Sequence, residues 1–327
     1  MNYITECLEH MVKFQAVANR DPVLRGDACT IRRIMGDLLN ARKFLLPPPN
    51  ALNVKATRTA LKFLRLPYPI CAFEYSCPMA RDEGVNAAIP TSRSTKRIAL
   101  AYDCSKNIGP VSVYKDTGYI PKDSTGILVI SFFYLDHLKS WSPSMGIGYM
   151  DEHSADDEDS EFLVDNVNLR GYVSVFPLLV DMIGDTLGHL TKAQQRDTLV
   201  NDVAEELMTA VRACLLLNTR NLKTVQAVEA PDKLNRKRLK NNRIPFFDYY
   251  TMDIFVSEGS RRTDRKKVNF GAIRDMFANA HTTRRWGTVI GHFKTRKTGI
   301  WWWNEHSRGN KANGVVEKDY RVIEKEL

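Results

Sequence analysis

Three histidines, His281, His292 and His306, fall within 26 residues, while four serve the other 301. Two imidazoles and a cation are a minimal kit for phosphodiester cleavage. One ring takes the nucleophile's proton, the other protonates the leaving oxygen, and the cation holds the phosphate. His292 and His306, with Arg308 and Lys294, are the residues with that potential. Their spacing matches no catalytic signature, and a hydrogen-bonded structural role for His292, beside Phe293, is the plainer reading.

The same stretch offers a chemistry that needs no proton transfer. Trp286, Phe293, Trp301, Trp302 and Trp303 interleave with Arg284, Arg285, Lys294, Arg296 and Lys297. Cations attract phosphates without regard to sequence, and flat rings offer stacking surfaces to bases. From Lys233 to Leu327 there are 22 Lys/Arg against 10 Asp/Glu, a balance of +12 in a chain of +9, so residues 1–232 sum to −3. Lys233, Arg236, Lys237, Arg238, Lys240 and Arg243 form one cluster; Arg261, Arg262, Arg265, Lys266 and Lys267 form another. Such runs contact phosphates, acidic partner surfaces or only water. These clusters, joined by Arg284, Arg285, Lys294, Arg296, Lys297 and Arg308, are expected to make one electropositive face if the fold unites them. Trp302 is the ring expected to meet a nucleic-acid ligand; all three tryptophans as core packing is the alternative.

Other chemistries find less support. There is no GxxxxGK[ST], HExxH or GxSxG pattern, and Gly146-Ile147-Gly148 lacks the strand–helix setting of a dinucleotide site. The six cysteines, Cys7, Cys29, Cys71, Cys77, Cys104 and Cys214, form no CxxC pair and read as reduced, mostly buried small hydrophobes. Asp181, Asp185 and His189 fit one helical face, where a solvated polar stripe is commoner than a metal site. Seven acids in Asp151–Glu161 lack the central glycine of a calcium loop, so an exposed, mobile acidic loop is expected. No metal and no cofactor are expected. No apolar run reaches the ~20 residues of a membrane span, and Met1–Glu9 has no basic leader region, so neither a membrane nor a secretory role is expected.

At 327 residues the chain can bury a sizeable core to hold these groups. Helices are expected at residues 3–18 (Ile4, Leu8 and Met11 on one stripe), 28–45, and from Asn50 or Asn53 to Arg65. Strands follow at Ile70–Ser76, Arg97–Cys104 and Gly126–Leu135, the last apolar on both faces and hence central. Asn107–Gly126, rich in Gly and Pro, reads as a turn-rich connection. Helices are predicted at Phe176–His189 and Ala193–Leu217. The second has Thr191 as cap and Leu199, Val203, Leu207, Ala210, Val211 and Cys214 as its stripe, and Glu205 and Glu206 read as surface charges. Short strands at 224–228 and 248–256 flank a basic helical turn, and a basic linker covers 257–267. A meander closes the chain at 285–295, 300–304 and 315–322. The fold class is α+β: N-terminal helices, a central mostly antiparallel sheet with a long packed helix, and a C-terminal basic β-meander. Residues 1–230 are expected to form the core domain and 231–327 a basic β-rich module.

Several short motifs carry a resemblance. They are Leu215-Leu216-Leu217-Asn218, Pro231-Asp232-Lys233-Leu234-Asn235-Arg236-Lys237-Arg238 and Ile244-Pro245. Downstream come Gly291-His292-Phe293-Lys294, Lys297-Thr298-Gly299, Trp301–Trp303, His306-Ser307-Arg308-Gly309 and Lys318-Asp319-Tyr320. Leu66-Pro67-Tyr68-Pro69 with Phe73-Glu74-Tyr75 adds an N-terminal part. Together they resemble a broad family of uncharacterised bacteriophage and prophage proteins with a C-terminal Gly-His, aromatic-strand, Lys-Asp-Tyr module. One step departs: Val289-Ile290 stands where that family often has two arginines, with Arg284-Arg285 upstream. The resemblance implies a phage origin and the cytoplasm of an infected bacterium, and supplies no reaction. The leading expectation is therefore a non-enzymatic, phage-encoded protein that binds DNA or RNA through its basic C-terminal module. The alternative is a protein-binding inhibitor of a bacterial defence system or of host transcription, its basic face meeting an acidic protein. A nuclease using His292 and His306 is third.

Overall fold

The computed structural model describes residues 3–20, 25–47, 49–52, 58–77, 94–118, 120–136, 138–151, 154, 163–164, 167–168, 192–220, 222–256, 285–289, 292–296, 298–303, 306–308 and 310–316. The predicted helix at 176–189, the Thr191 cap, the Asp181–His189 stripe and the basic linker at 257–267 lie outside them.

A strand apolar on both faces can only lie inside a sheet covered on both sides. Ile127–Leu135 meets that condition as one strand of a seven-stranded mixed sheet. The strands of this sheet are β1 (Arg42–Leu45), β2 (Ile70–Ser76), β3 (Lys96–Asp103), β4 (Ile127–Leu135), β5 (Ser140–Met150), β8 (Leu222–Val228) and β9 (Tyr249–Val256). Two short strands, β6 (Leu163–Val164) and β7 (Val167–Asn168), pair only with each other. The order is β5-β4-β3-β2-β1-β9-β8. β1 runs parallel to both β2 and β9, and every other pair is antiparallel.

Alternation along the strands splits the core in two. Phe73, Tyr75, Ala99, Ala101 and Val129 meet Leu207, Val211 and Cys214 of the long helix α5 (Lys192–Leu217). Ala72, Ile98, Leu100, Leu128 and Ile130 meet α1 (Tyr3–Ala18) and α2 (Arg25–Asn40) through Ile4, Leu8, Met11, Ile31, Ile34 and Leu38. The result is a three-layer α+β sandwich. Leu8 is fully buried, and Leu8→Ala would cost ~2–5 kcal/mol in lost burial and cavity formation. Gly148 lets α5 approach β5: a β-carbon there would stand 3.0 Å from Leu207 and 3.2 Å from Val203. The Gly146-Ile147-Gly148 motif is thus part of a packed strand.

Polar groups fix the position of α1. The Ile4 backbone N–H donates to Glu74 Oε2 at 3.1 Å, putting a carboxylate at the helix N-terminus where the dipole favours it. Burial nevertheless pushes the Glu74 carboxyl up to about 7. Burial also brings Lys43, on the same side of the sheet, down to about 8; its ammonium donates to the carbonyls of Leu39 and Ala41.

Several expectations are corrected. The second helix ends at Asn40, and Arg42–Leu45 is instead a strand inside the sheet. Its four residues are too few to show a period, and Lys43 interrupts their apolar run. Within Asn107–Gly126 lies a helix, α4 (Pro110–Asp116), with Pro110 pre-set for its first turn. The third helix, α3 (Arg58–Leu61), ends before Arg65, and Pro49–Leu52 is a 3-10 turn; residues 53–57 lie outside the described ones. Asp151 is buried, accepting from the Tyr149 hydroxyl at 2.6 Å and from Ser154 N at 2.8 Å, so the acidic loop does not begin there. The remaining acids of that loop lie outside the described residues. Glu206 is fully buried rather than a surface charge. β9 is hydrogen-bonded to β1 and β8, so a division at 230/231 cuts through the sheet.

Candidate nucleic-acid interface

The C-terminal strands form two small sheets instead of one meander. β10 (Arg285–Val289), β13 (His306–Arg308) and β14 (Asn310–Val316) form one, in the order β13-β10-β14. β11 (His292–Arg296) and β12 (Gly299–Trp303) form a separate antiparallel hairpin. The predicted strand at 285–295 is therefore two strands in different sheets.

Cross-strand partners share a face, and the register pairs Phe293 with Trp302 and Thr295 with Ile300. Ile300 is 1% exposed in the α5-side core, and Trp302 packs against that core. The opposite face of the ladder pairs Lys294 with Trp301, His292 with Trp303, and Arg296 with Gly299. Lys294, Arg296 and Trp303 are exposed there, while Trp301 is half-buried with its indole nitrogen inside. Lys294 Nζ lies 4.1 Å from the Trp303 ring centre, and the Arg296 guanidinium lies 5.9 Å from that of Trp301. Each cation reaches diagonally across the ladder. An exposed cation–π pair contributes ~0.5–1 kcal/mol. Trp303 is 38% exposed. The exposed ring is therefore Trp303, whereas Trp302, the ring expected to meet a ligand, packs on the core.

Beside the hairpin turn opens a cleft of about 420 Å³ lined by Lys62, Phe63, Arg65, Asn218, Arg220, Thr298, Gly299 and Ile300. Three elements meet here. The residues after α3 supply Lys62 and Arg65, the end of α5 supplies Asn218 and Arg220, and the hairpin turn closes the third side. Asn218 Nδ2 donates to the carbonyls of Phe63 and Arg65 at 3.3 and 2.8 Å, joining the first two. The Arg220 N–H donates to the Ile300 carbonyl at 3.3 Å, joining the third. Gly299 has a φ of +134°, which requires glycine, and a β-carbon there would stand 2.9 Å from Arg220 Nε and push that side chain aside. The lining holds three cations and no carboxylate, and among the described residues none of the three is in an ion pair. Sequence reasoning missed Lys62, Arg65 and Arg220 because the balance of the net-negative part of the chain hid them, although Lys55, Arg58, Lys62 and Arg65 form an acid-free run at helical spacing that could have pointed to two of them.

The 233–243 cluster lies elsewhere. α6 (Asp232–Lys240) buries no residue and leaves Lys233, Arg236, Lys237 and Lys240 in solvent. Beyond its end at Lys240, Asn242 with a φ of +51° and the Arg243 N–H bonded to the Arg238 carbonyl close the helix. Arg238, expected to bind nucleic acid, is a clasp instead. It donates to Glu9 Oε1 at 2.7 Å and to the Ile244 carbonyl at 2.7 Å, and it lies 4.3 Å over Phe246. Arg243 donates to both oxygens of Glu9 at 3.2 and 2.8 Å. The hydrogen bond from Arg243 and the field of Arg238 hold the Glu9 carboxyl below its ordinary value. Ile244 and Phe247 pack on the α1-side core. The basic helix and the basic hairpin therefore lie on opposite sides of the sheet, and the expected single electropositive face is divided.

Arg285 and Arg308 fall on adjacent strands of the β13-β10-β14 sheet. His292 and His306 belong to different sheets. Arg261, Arg262, Lys266, Lys267, Arg284 and Lys297 lie outside the described residues, as does His281. A second polar cluster sits under α5. Arg97 Nη1 donates to Glu206 Oε1 at 2.6 Å, the Tyr75 hydroxyl to the same oxygen at 3.3 Å, and the Cys77 thiol to Glu205 at 3.4 Å. Burial, with Glu205 beside it, pushes the Cys77 thiol up to about 12, so it is not a thiolate nucleophile at neutral pH. All six cysteines are free, with Cys29 exposed. Among the described residues no three His, Cys, Asp or Glu gather as a metal site, and no helix is long and apolar enough to cross a membrane. No family model, curated protein or solved structure matches this α+β chain.

Proposed function

We propose that this protein binds nucleic acid through the outward face of the β11–β12 hairpin and the cationic cleft beside it, acting in the cytoplasm of a phage-infected bacterium. The observation that carries this reading is Lys294 lying 4.1 Å over the exposed Trp303 ring, on a hairpin whose turn lines a cleft with three cations and, among the described residues, no carboxylate. Rings present a stacking surface to any base, and cations not committed to carboxylates keep their field for phosphates. The phage setting rests on the motif resemblance alone. The test is a salt titration of oligonucleotide binding to the full chain. Affinity should fall linearly on a log–log plot, by roughly 0.7 per phosphate neutralised on a single strand. No binding at low salt ends the proposal.

One observation favours a second reading, an inhibitor of a bacterial defence system or of host transcription. α6 exposes Leu234 and Leu239, at 51% and 58%, among its four free cations. That mix suits an acidic protein surface with an apolar centre better than a phosphate backbone. Co-purification with one bacterial protein, lost on substituting Leu234 and Leu239, is its expected outcome.

A further inference from the structure

A second pairing of ring and cation stands on the cleft's side of the sheet. Phe44 of β1, in the α5-side core, packs on Tyr250 of β9 at 5.3 Å. Tyr68 lies over Tyr250 at 6.4 Å with the rings 15° from parallel. The Arg42 guanidinium lies 5.3 Å from the Tyr68 ring centre. Tyr68 is 37% exposed. It follows Arg65 of the cleft by three residues, which keeps their α-carbons within ~11 Å. The proline on each side, Pro67 and Pro69, limits the backbone there and helps hold the ring in place. So each of two segments that line the cleft also carries an exposed ring–cation pair, Trp303 with Lys294 on the hairpin and Tyr68 with Arg42 three residues after Arg65.

Resting on the nucleic-acid reading above, we infer that the ligand is a single strand, its backbone in the Lys62–Arg65–Arg220 cleft and its bases stacked on Trp303 and on Tyr68. A duplex keeps its base faces stacked on one another and offers neither ring a partner; an unpaired strand can splay its bases onto both. Tyr250 and Phe44 back Tyr68 as a rigid support, and Arg42 adds a cation at the far end.

The test uses the full chain and oligothymidylates of about 4 to about 16 nucleotides, the range that single-strand grooves occupy, with a 16-base-pair duplex for comparison. Affinity for the wild-type chain is expected to climb with length and to favour the single strand over the duplex. Tyr68→Ala and Tyr68→Leu should each weaken the longest strand about 5- to 100-fold. Tyr68→Phe should keep the affinity, which separates loss of the ring's face from a packing defect. Trp303→Ala should weaken the longest strand comparably. If Tyr68→Leu binds the long strand as wild type does while Trp303→Ala weakens it, the second platform is wrong and the hairpin interface stands. Equal affinity for the duplex likewise overturns the inference. If no strand binds at any length at low salt, the inference and the functional reading fall together.

Discussion

Arg238 and Arg243 close on Glu9 at 2.7 and 2.8 Å, whereas Lys294 and Arg296 lie over Trp303 and Trp301. The first pair shares one carboxylate, which cancels one of its two charges, in holding a surface helix to α1. The second keeps its charge and adds a stacking surface. An ion pair at the surface contributes little to stability but consumes the cation's long-range field, while a cation on a ring remains a full positive charge. A count of lysines and arginines gives both stretches equal weight. The fold separates them by what each cation touches, and by the sheet between them.

The largest effect that would sharpen this contrast lies in the cleft. Replacing Lys62, Arg65 and Arg220 together by alanine should lower single-strand affinity about 100-fold at ~0.1 M salt and reduce the salt slope by about 2. Retained affinity and slope in this variant would break the comparison on its functional side. Next is Trp303→Ala, expected to cost ~1–3 kcal/mol of binding with the melting temperature unchanged, since the ring is already 38% exposed. Glu9→Gln should act in the opposite manner, lowering stability by ~1 kcal/mol in chemical denaturation and leaving binding unaltered. The Glu9 carboxyl is held below its ordinary value, so its contribution is present above the unfolded value near 4.5 and is lost as pH falls through the lowered folded one. The Glu9→Gln chain should therefore lose less stability on acidification than the wild type. Smallest is the replacement of Lys233, Arg236, Lys237 and Lys240 by glutamine, for which less than a two-fold change in affinity is expected. A loss matching that of the cleft variant would show the two basic regions to be equivalent.

The parts of this molecule that repeat at a fixed period were readable from the residues alone. The stripe Val203, Leu207, Ala210, Val211 and Cys214 is buried along α5 as expected, and Ile4, Leu8 and Met11 are buried along α1. The two-faced apolar run of β4 lies inside the sheet. What escaped depended on partners distant in the chain. Arg238 reads as a free cation until Glu9, 229 positions earlier, closes on it. The phase of the hairpin is set by Ile300 entering the core, which no alternation rule can supply, and so Trp302 packs on the core while Trp303 is exposed. Lys62 and Arg65, from the acid-free run Lys55, Arg58, Lys62 and Arg65, meet the distant Arg220 where the Asn218 amide ties the segment after α3 to the end of α5. β1 was hidden by its shortness and by Lys43, a buried cation that no apolar pattern would place within a sheet.

Photo-crosslinking decides most directly which of the two regions meets the ligand. A single-stranded oligonucleotide carrying 5-iodouracil would be irradiated with the full chain and the adducts mapped by mass spectrometry. The account predicts adducts in residues 292–303, at Trp303 foremost, that fade as salt is raised. Adducts confined to residues 232–243 would contradict it.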